Sequence, residues 1–197
     1  MELTLASFWQ LVRHTLQKPR QAASYVMSLG VPMAARWAGM WLMAAASALI
    51  MFVSFSLMPI SLPPMVAAIV ANPLQLAAVQ VAGLIGTVLA IHFFGRLFGG
   101  TGSLADALLL VVWLQVILLG MQLVQLATDI LLPPLAGVVA IMSMLLSPWL
   151  LTNFVAELHG FRSLFLVFLG IIAATFLLMV GLAFLMALVM APGQVGI

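Results

Sequence analysis

From Trp37 to Gly95 the chain carries no Asp, Glu, Lys or Arg. A water-soluble domain can absorb so long an uncharged run only if much more protein surrounds it. The whole chain has 197 residues, 66% of them hydrophobic and 5% charged, where a soluble domain carries roughly 25% charged residues. A chain of this size cannot hide that much apolar surface from water. The solvent around most of these side chains is therefore hydrocarbon. At about 20 apolar residues per crossing, the length admits four to six crossings and leaves no room for a soluble catalytic domain.

The polar interruptions divide the chain into an all-α bundle of five predicted transmembrane helices behind an N-terminal amphipathic segment. Residues 1–31 form that segment, and 32–197 form the five-span domain. In the segment, Leu5, Phe8, Trp9, Val12 and Leu16 recur at helical spacing, with Gln10, Arg13, His14 and Gln17 on the other side. This pattern predicts a helix lying in the membrane interface with Trp9 at headgroup level. Lys18-Pro19-Arg20 breaks it, and a second short helix is expected from Arg20 to Leu29. The expected spans are about 37–58, 74–94, 104–127, 135–156 and 163–190. Pro63-Pro64, Asn72-Pro73 and Pro133-Pro134 separate them, and Pro148 lies inside the fourth. Met65 to Ala71 is apolar but too short to cross. The N-terminal charges extend to Arg36, which does not fit a cleavable signal peptide.

Six basic residues face four acidic ones, a net charge of +2. This balance and the absence of a basic patch with interleaved aromatics argue against nucleic-acid binding. With five crossings, Arg13, Lys18, Arg20, Arg36, Arg96 and Arg162 all fall on one side. The positive-inside rule then predicts N-in, C-out. There is no cysteine, hence no thiol chemistry or disulfide. His14, His92 and His159 have no ligand partners at metal-binding spacing, and no Gly-x-Ser-x-Gly elbow occurs. No cofactor and no enzymatic activity are expected.

No charge sits at mid-span, which argues against proton coupling through a midplane carboxylate. Gln115, Gln122 and Asp129 share a face of the third span, and Asn153 and Glu157 share a face of the fourth. They form either hydrogen bonds between helices or a polar cleft for a lipid headgroup or other solute. The Gly95 to Ser103 segment follows His92. Gly95 and Gly99 make a GxxxG spacing suited to close helix approach. Ser103 with Asp106 makes an acidic variant of the capping box for the third span. Gly99, Gly100 and Gly102 feed that helix, so the loop reads either as a tight capped turn or as an anionic headgroup site formed by Arg96 and the loop amides. At the same end, Asp106, Glu157, His159, Arg96 and Arg162 can converge. Structural ion pairs are expected there, Arg96 with Glu157 or Asp106 with Arg162.

These residues carry a resemblance. His92, the loop Gly99-Gly100-Thr101-Gly102-Ser103, the segment Trp149-Leu150-Leu151 and the turn Glu157-Leu158-His159-Gly160 resemble the YIP-domain family, the Ypt/Rab-interacting type of five-span membrane protein, as its bacterial members present it. The N-terminal aromatic-aliphatic stretch followed by Lys18-Pro19 is also similar. The resemblance covers nearly the whole chain and implies five spans with a cytoplasmic N-terminus. The long soluble N-terminal region and the acidic Asp-Leu-Tyr-Gly-Pro-like segment of Rab-linked members are missing, so Rab binding is not carried over.

The sequence thus points to a bacterial inner-membrane scaffold or interaction protein, self-associating or an accessory subunit of a larger complex. Small-residue pairs at Ala44/Ala48, Ser143/Ser147 and Ala183/Ala187 are its candidate contacts. Lipid binding, lipid scrambling or membrane shaping is the alternative. Small-solute transport ranks third, because no internal repeat or paired broken helices are visible.

Overall fold

The computed structural model describes residues 4–58 and 61–190, with side chains placed through Gly181. The described residues form eight helices and no strand: α1 (Leu5–Gln17), α2 (Pro19–Ser28), α3 (Met33–Leu57), α4 (Pro64–Val70), α5 (Pro73–Leu97), α6 (Leu104–Leu131), α7 (Pro133–His159) and α8 (Leu164–Met190). Five of them, α3, α5, α6, α7 and α8, are long and apolar enough to cross a membrane. Each of α3, α5, α6 and α7 runs a few residues past its expected span. The pair Ala183/Ala187 lies outside the described side chains.

Local chemistry sets the breaks. Thr4 and Ser7 cap α1 reciprocally, the Ser7 amide donating to Thr4 Oγ1 at 3.2 Å and the Thr4 amide to Ser7 Oγ at 3.0 Å. Pro19, Pro64, Pro73 and Pro133 each open a helix, where a missing N–H costs nothing. Asn72 Oδ1 accepts from the Leu74 and Gln75 amides. Pro148 sits inside α7 without ending it.

Helix α6 is the axis of the bundle. It packs against α7, α3, α5 and α2, whereas α8 packs on α7. Two bonds fix the α6–α7 register. Gln125 Nε2 donates to the Ala136 carbonyl at 3.3 Å near the connecting turn, and the Gly102 amide donates to His159 Nδ1 at 3.1 Å at the opposite end. Both pairs are centred between Ile130 and Leu131, so the helices run antiparallel without slippage.

Packing concentrates at the end where α1 and α2 lie, called the cap here. Ala107, Leu108, Leu109, Leu110 and Val111 are all buried in succession. A helix buried on every side needs neighbours all round. In the cap these are α2 (Ala23, Val26), α3 (Met40, Ala44), α5 (Val88) and α7 (Leu150, Phe154, Leu158). The expected interfacial helix α1 meets the bundle along one edge of its apolar stripe, with Leu11 and Val12 packed against the core. Thr15 is fully buried and its hydroxyl accepts from Trp113 Nε1 at 3.0 Å. Phe8 meets the Trp113 ring edge-on at 6.1 Å. Leu5, Trp9 and Leu16 stay exposed.

Candidate functional site

His159 is the last residue of α7 and only 3% exposed. Its ring lies in a socket of glycines. A Cβ on Gly95 or Gly100 would fall inside the ring's van der Waals envelope, and one on Gly102 would stand 2.6 Å from Leu158 Cγ and 2.8 Å from His159 Cε1. No residue larger than glycine fits these three positions while the imidazole is in place. Nδ1 accepts from the Gly102 amide at 3.1 Å, and Nε2 lies 3.1 Å from the Ile91 carbonyl. An accepting Nδ1 places the ring proton on Nε2, so one tautomer satisfies both ends. Phe161 stacks on the ring at 5.5 Å and 26°.

The two helices that meet at this socket end alike. After α5, Gly99 has φ +84, with the Gly99 amide donating to the Arg96 carbonyl and the Gly100 amide to the Gly95 carbonyl. After α7, Gly160 has φ +71, with the Gly160 amide donating to the Glu157 carbonyl and the Phe161 amide to the Ala156 carbonyl. Both are left-handed glycine caps of the Schellman kind. The spacing of Gly95 and Gly99 therefore does not serve as a helix-packing GxxxG. Gly95 admits an imidazole, and Gly99 supplies a positive φ.

Three amides of the loop, at Gly99, Gly100 and Gly102, are thus engaged inside the protein. This leaves little of the phosphate cradle that a Gly-rich loop before a helix suggests. Ser103 caps α6 by accepting from the Asp106 amide at 3.0 Å, but the Asp106 carboxylate accepts from the Ser103 hydroxyl at 2.6 Å instead of its amide. Only half of the expected capping box forms.

The expected ion pairs are corrected. Glu157 pairs with Arg20 at 3.0 Å, and Arg20 Nη2 also reaches the Phe161 carbonyl at 3.4 Å. Asp106 pairs with Arg36 at 3.0 Å. The Arg36 guanidinium donates further to the Val31 carbonyl at 2.8 Å and to the Ala105 carbonyl. Arg96 and Arg162 are exposed and make no ion pair among the described residues. The acids are bound by Arg20 of the N-terminal segment and by Arg36 in the first turn of α3, because α2 and the start of α3 close over the cap, which no spacing rule reveals.

The amides named from the sequence do not form one cleft. Asn153 is buried and donates to the Trp149 carbonyl of its own helix at 2.8 Å. Gln115 is half-buried, and Gln122 Oε1 is buried without a partner, as is His92 Nδ1. The amide that joins two helices is Gln125, which also donates to Asp129 Oδ1 at 2.8 Å. Its place opposite the α6–α7 turn was the only signal for it. Among the described residues no group of three His, Cys, Asp or Glu side chains is arranged to hold a metal.

Five crossing-length helices, with a histidine-and-glycine lock at one end, define a multi-pass membrane protein. The Yip1 domain profile matches residues 13–189, and the chain belongs to that family. No curated protein and no solved structure matches it significantly.

Proposed function

We propose that this chain is a non-enzymatic interaction protein of the bilayer, an accessory part of a larger membrane assembly or of its own oligomer. The observation that carries this reading is α8. Of its described side chains only Val167 is buried, and Phe165, Leu166, Phe176, Leu177 and Met179 are each more than half exposed. Membrane helices associate by close packing rather than by escape from water, so a 27-residue helix with so few protein contacts has packing capacity to spare. On the far half of α7, Ile141, Met142, Met144 and Leu145 are exposed as well. Of the small-residue pairs expected to mediate contact, Ala44 and Ala48 are already buried inside the bundle, and Ser143 and Ser147 are half-buried.

A transport or scrambling role finds less support. The void inside the bundle, bounded by Ile91, Ala107, Leu110, Leu114, Leu151 and Phe154 among others, is apolar and about 10 Å³, the size of one water probe. The positive-inside rule supports a cytoplasmic cap, and the resemblance to bacterial relatives supports an inner-membrane location. A photo-crosslinker at Phe176 tests the interaction reading in native membranes. It is expected to capture a membrane protein or a second copy. A strictly monomeric species in native membrane extract, with lipid as the sole crosslinked product, refutes it.

A further inference from the structure

The five tryptophans, spread from Trp9 to Trp149 in the sequence, fall at one level of the fold. Trp113 and Phe8 are in ring contact, which brings the neighbouring Trp9 to the same height. In the fixed α6–α7 register, Trp113 stands opposite Pro148, next to Trp149. The backbone at Gly39 approaches so close that a Cβ would lie 2.9 Å from Val112 Cγ1, so Trp37 and Trp41 bracket the same plane. Four of the five rings are exposed, Trp113 being the exception. Tryptophan collects at membrane–water boundaries because an apolar ring carries one polar N–H. From Trp113 to Leu131, α6 rises roughly 27 Å at 1.5 Å per residue, close to the ~30 Å of a hydrocarbon core. From Leu104 to Trp113 it rises roughly 13 Å more.

That remainder is the cap. Its surface mixes exposed Phe93, Leu97 and Phe98 with Arg96 and Arg162. Such a mixture suits neither free water nor hydrocarbon; it suits the headgroup layer. The charge there is one-sided. Asp106 and Glu157 are neutralised by Arg36 and Arg20, Asp129 lies at the other end of α6 beside Gln125, and Glu2 lies outside the described residues. Arg13, Lys18, Arg96 and Arg162 are exposed and make no ion pair among the described residues.

We propose that the tryptophan layer marks the hydrocarbon boundary, that the cap is seated in the headgroup layer, and that Arg13, Lys18, Arg96 and Arg162 bind the phosphates of anionic phospholipids there. The ligand is a lipid of net negative charge, drawn from the leaflet the cap faces. This inference is independent of the proposed protein–protein role, since it concerns the cap perimeter and not α8.

The test uses the full chain in vesicles of phosphatidylcholine containing a small, equal fraction of brominated phosphatidylglycerol or brominated phosphatidylcholine. The exposed tryptophans report contact with bromine by quenching. The anionic lipid is expected to quench severalfold more than the neutral one, and bromine near the carbonyl end of the chain more than bromine near its methyl end. Raising the salt concentration should erase the preference for the anionic lipid. A variant carrying Arg13→Gln, Lys18→Gln, Arg96→Gln and Arg162→Gln should lose it at low salt. Equal quenching by the two lipids, or a preference that survives both salt and the fourfold variant, overturns the proposal. If the variant does not fold, the salt response of the unmodified chain decides.

Discussion

At the cap, five consecutive residues of α6 from Ala107 to Val111 are buried. At the other end of the same helix pair, Ile130, Leu131, Leu132, Leu135 and Val138 are all exposed. Both stretches are equally apolar. What differs is the company. The cap has α2 and the ends of α3, α5 and α7 around it, with two ion pairs and a seated histidine; the far end has a helical hairpin joined by Gln125. The cap is built like a soluble core, with the buried Thr15 and His159 bonded and small residues admitting large ones. The far end is built for hydrocarbon, where apolar exposure carries no penalty.

Substitutions should therefore cost much in the cap and little beyond it. Gly95→Ala drives a methyl into His159 and is expected to destabilise the protein by about 3 kcal/mol or more, the range of overpacking without room to relax. Thermal unfolding in detergent, followed by tryptophan fluorescence, measures it. The matched change Gly137→Ala, with open space around its Cβ, should be neutral or stabilise α7 by up to about 1 kcal/mol. If both behave alike, the contrast between the ends is broken.

His159→Ala removes the ring that three glycines enclose and leaves the Gly102 amide buried without its acceptor. A loss of about 2–4 kcal/mol is expected from cavity and orphaned donor together, with faster hydrogen exchange across residues 95–103. Unchanged exchange there would show that the loop holds its shape without the histidine. Arg36→Ala should follow at about 2–3 kcal/mol, because that guanidinium is 10% exposed and serves Asp106 and two carbonyls. The more exposed Arg20–Glu157 pair should give no more than about 1 kcal/mol on Arg20→Ala. Trp113→Phe removes the bond to Thr15 and should cost about 1 kcal/mol, read as loosening of α1 in limited proteolysis. Met144→Ala, on an exposed face of α7, should fall within about 0.5 kcal/mol in the isolated chain.

The sequence made the far end easy to read, and the cap hard. Uncharged runs and proline pairs announce five long helices because hydrocarbon allows few other ways to satisfy a backbone. The Gly95–Ser103 loop and the His159-Gly160 turn each stood out as well. Their convergence at one end was expected, but the seating of the His159 ring among the glycines was not, because a contact across 57 positions leaves no periodic trace. The ion pairs were misassigned for the same reason: Arg20 is placed by Ala23 and Val26 of α2 joining the core with α6 and α7, and Arg36 by the packing of α3 against α6. The amphipathic pattern of α1 suggested one apolar stripe, but its packed face is set by Thr15, a polar residue that periodicity counts against burial. The tryptophan layer was present in the sequence as five scattered letters, and only the helix register brings them to one height.

The glycine socket has an evolutionary corollary. Positions 95, 100 and 102 are constrained by side chains far away in the sequence, His159 at all three and Leu158 at 102, not by their own turns alone. A relative with alanine in place of His159 is released from glycine at 95 alone, because the Cβ of residue 159 still crowds position 100 and Leu158 still crowds position 102, while Gly99, whose backbone demands a positive φ, stays fixed. Among relatives, alanine at 95 and loss of the histidine should travel together, with Gly99 unmoved.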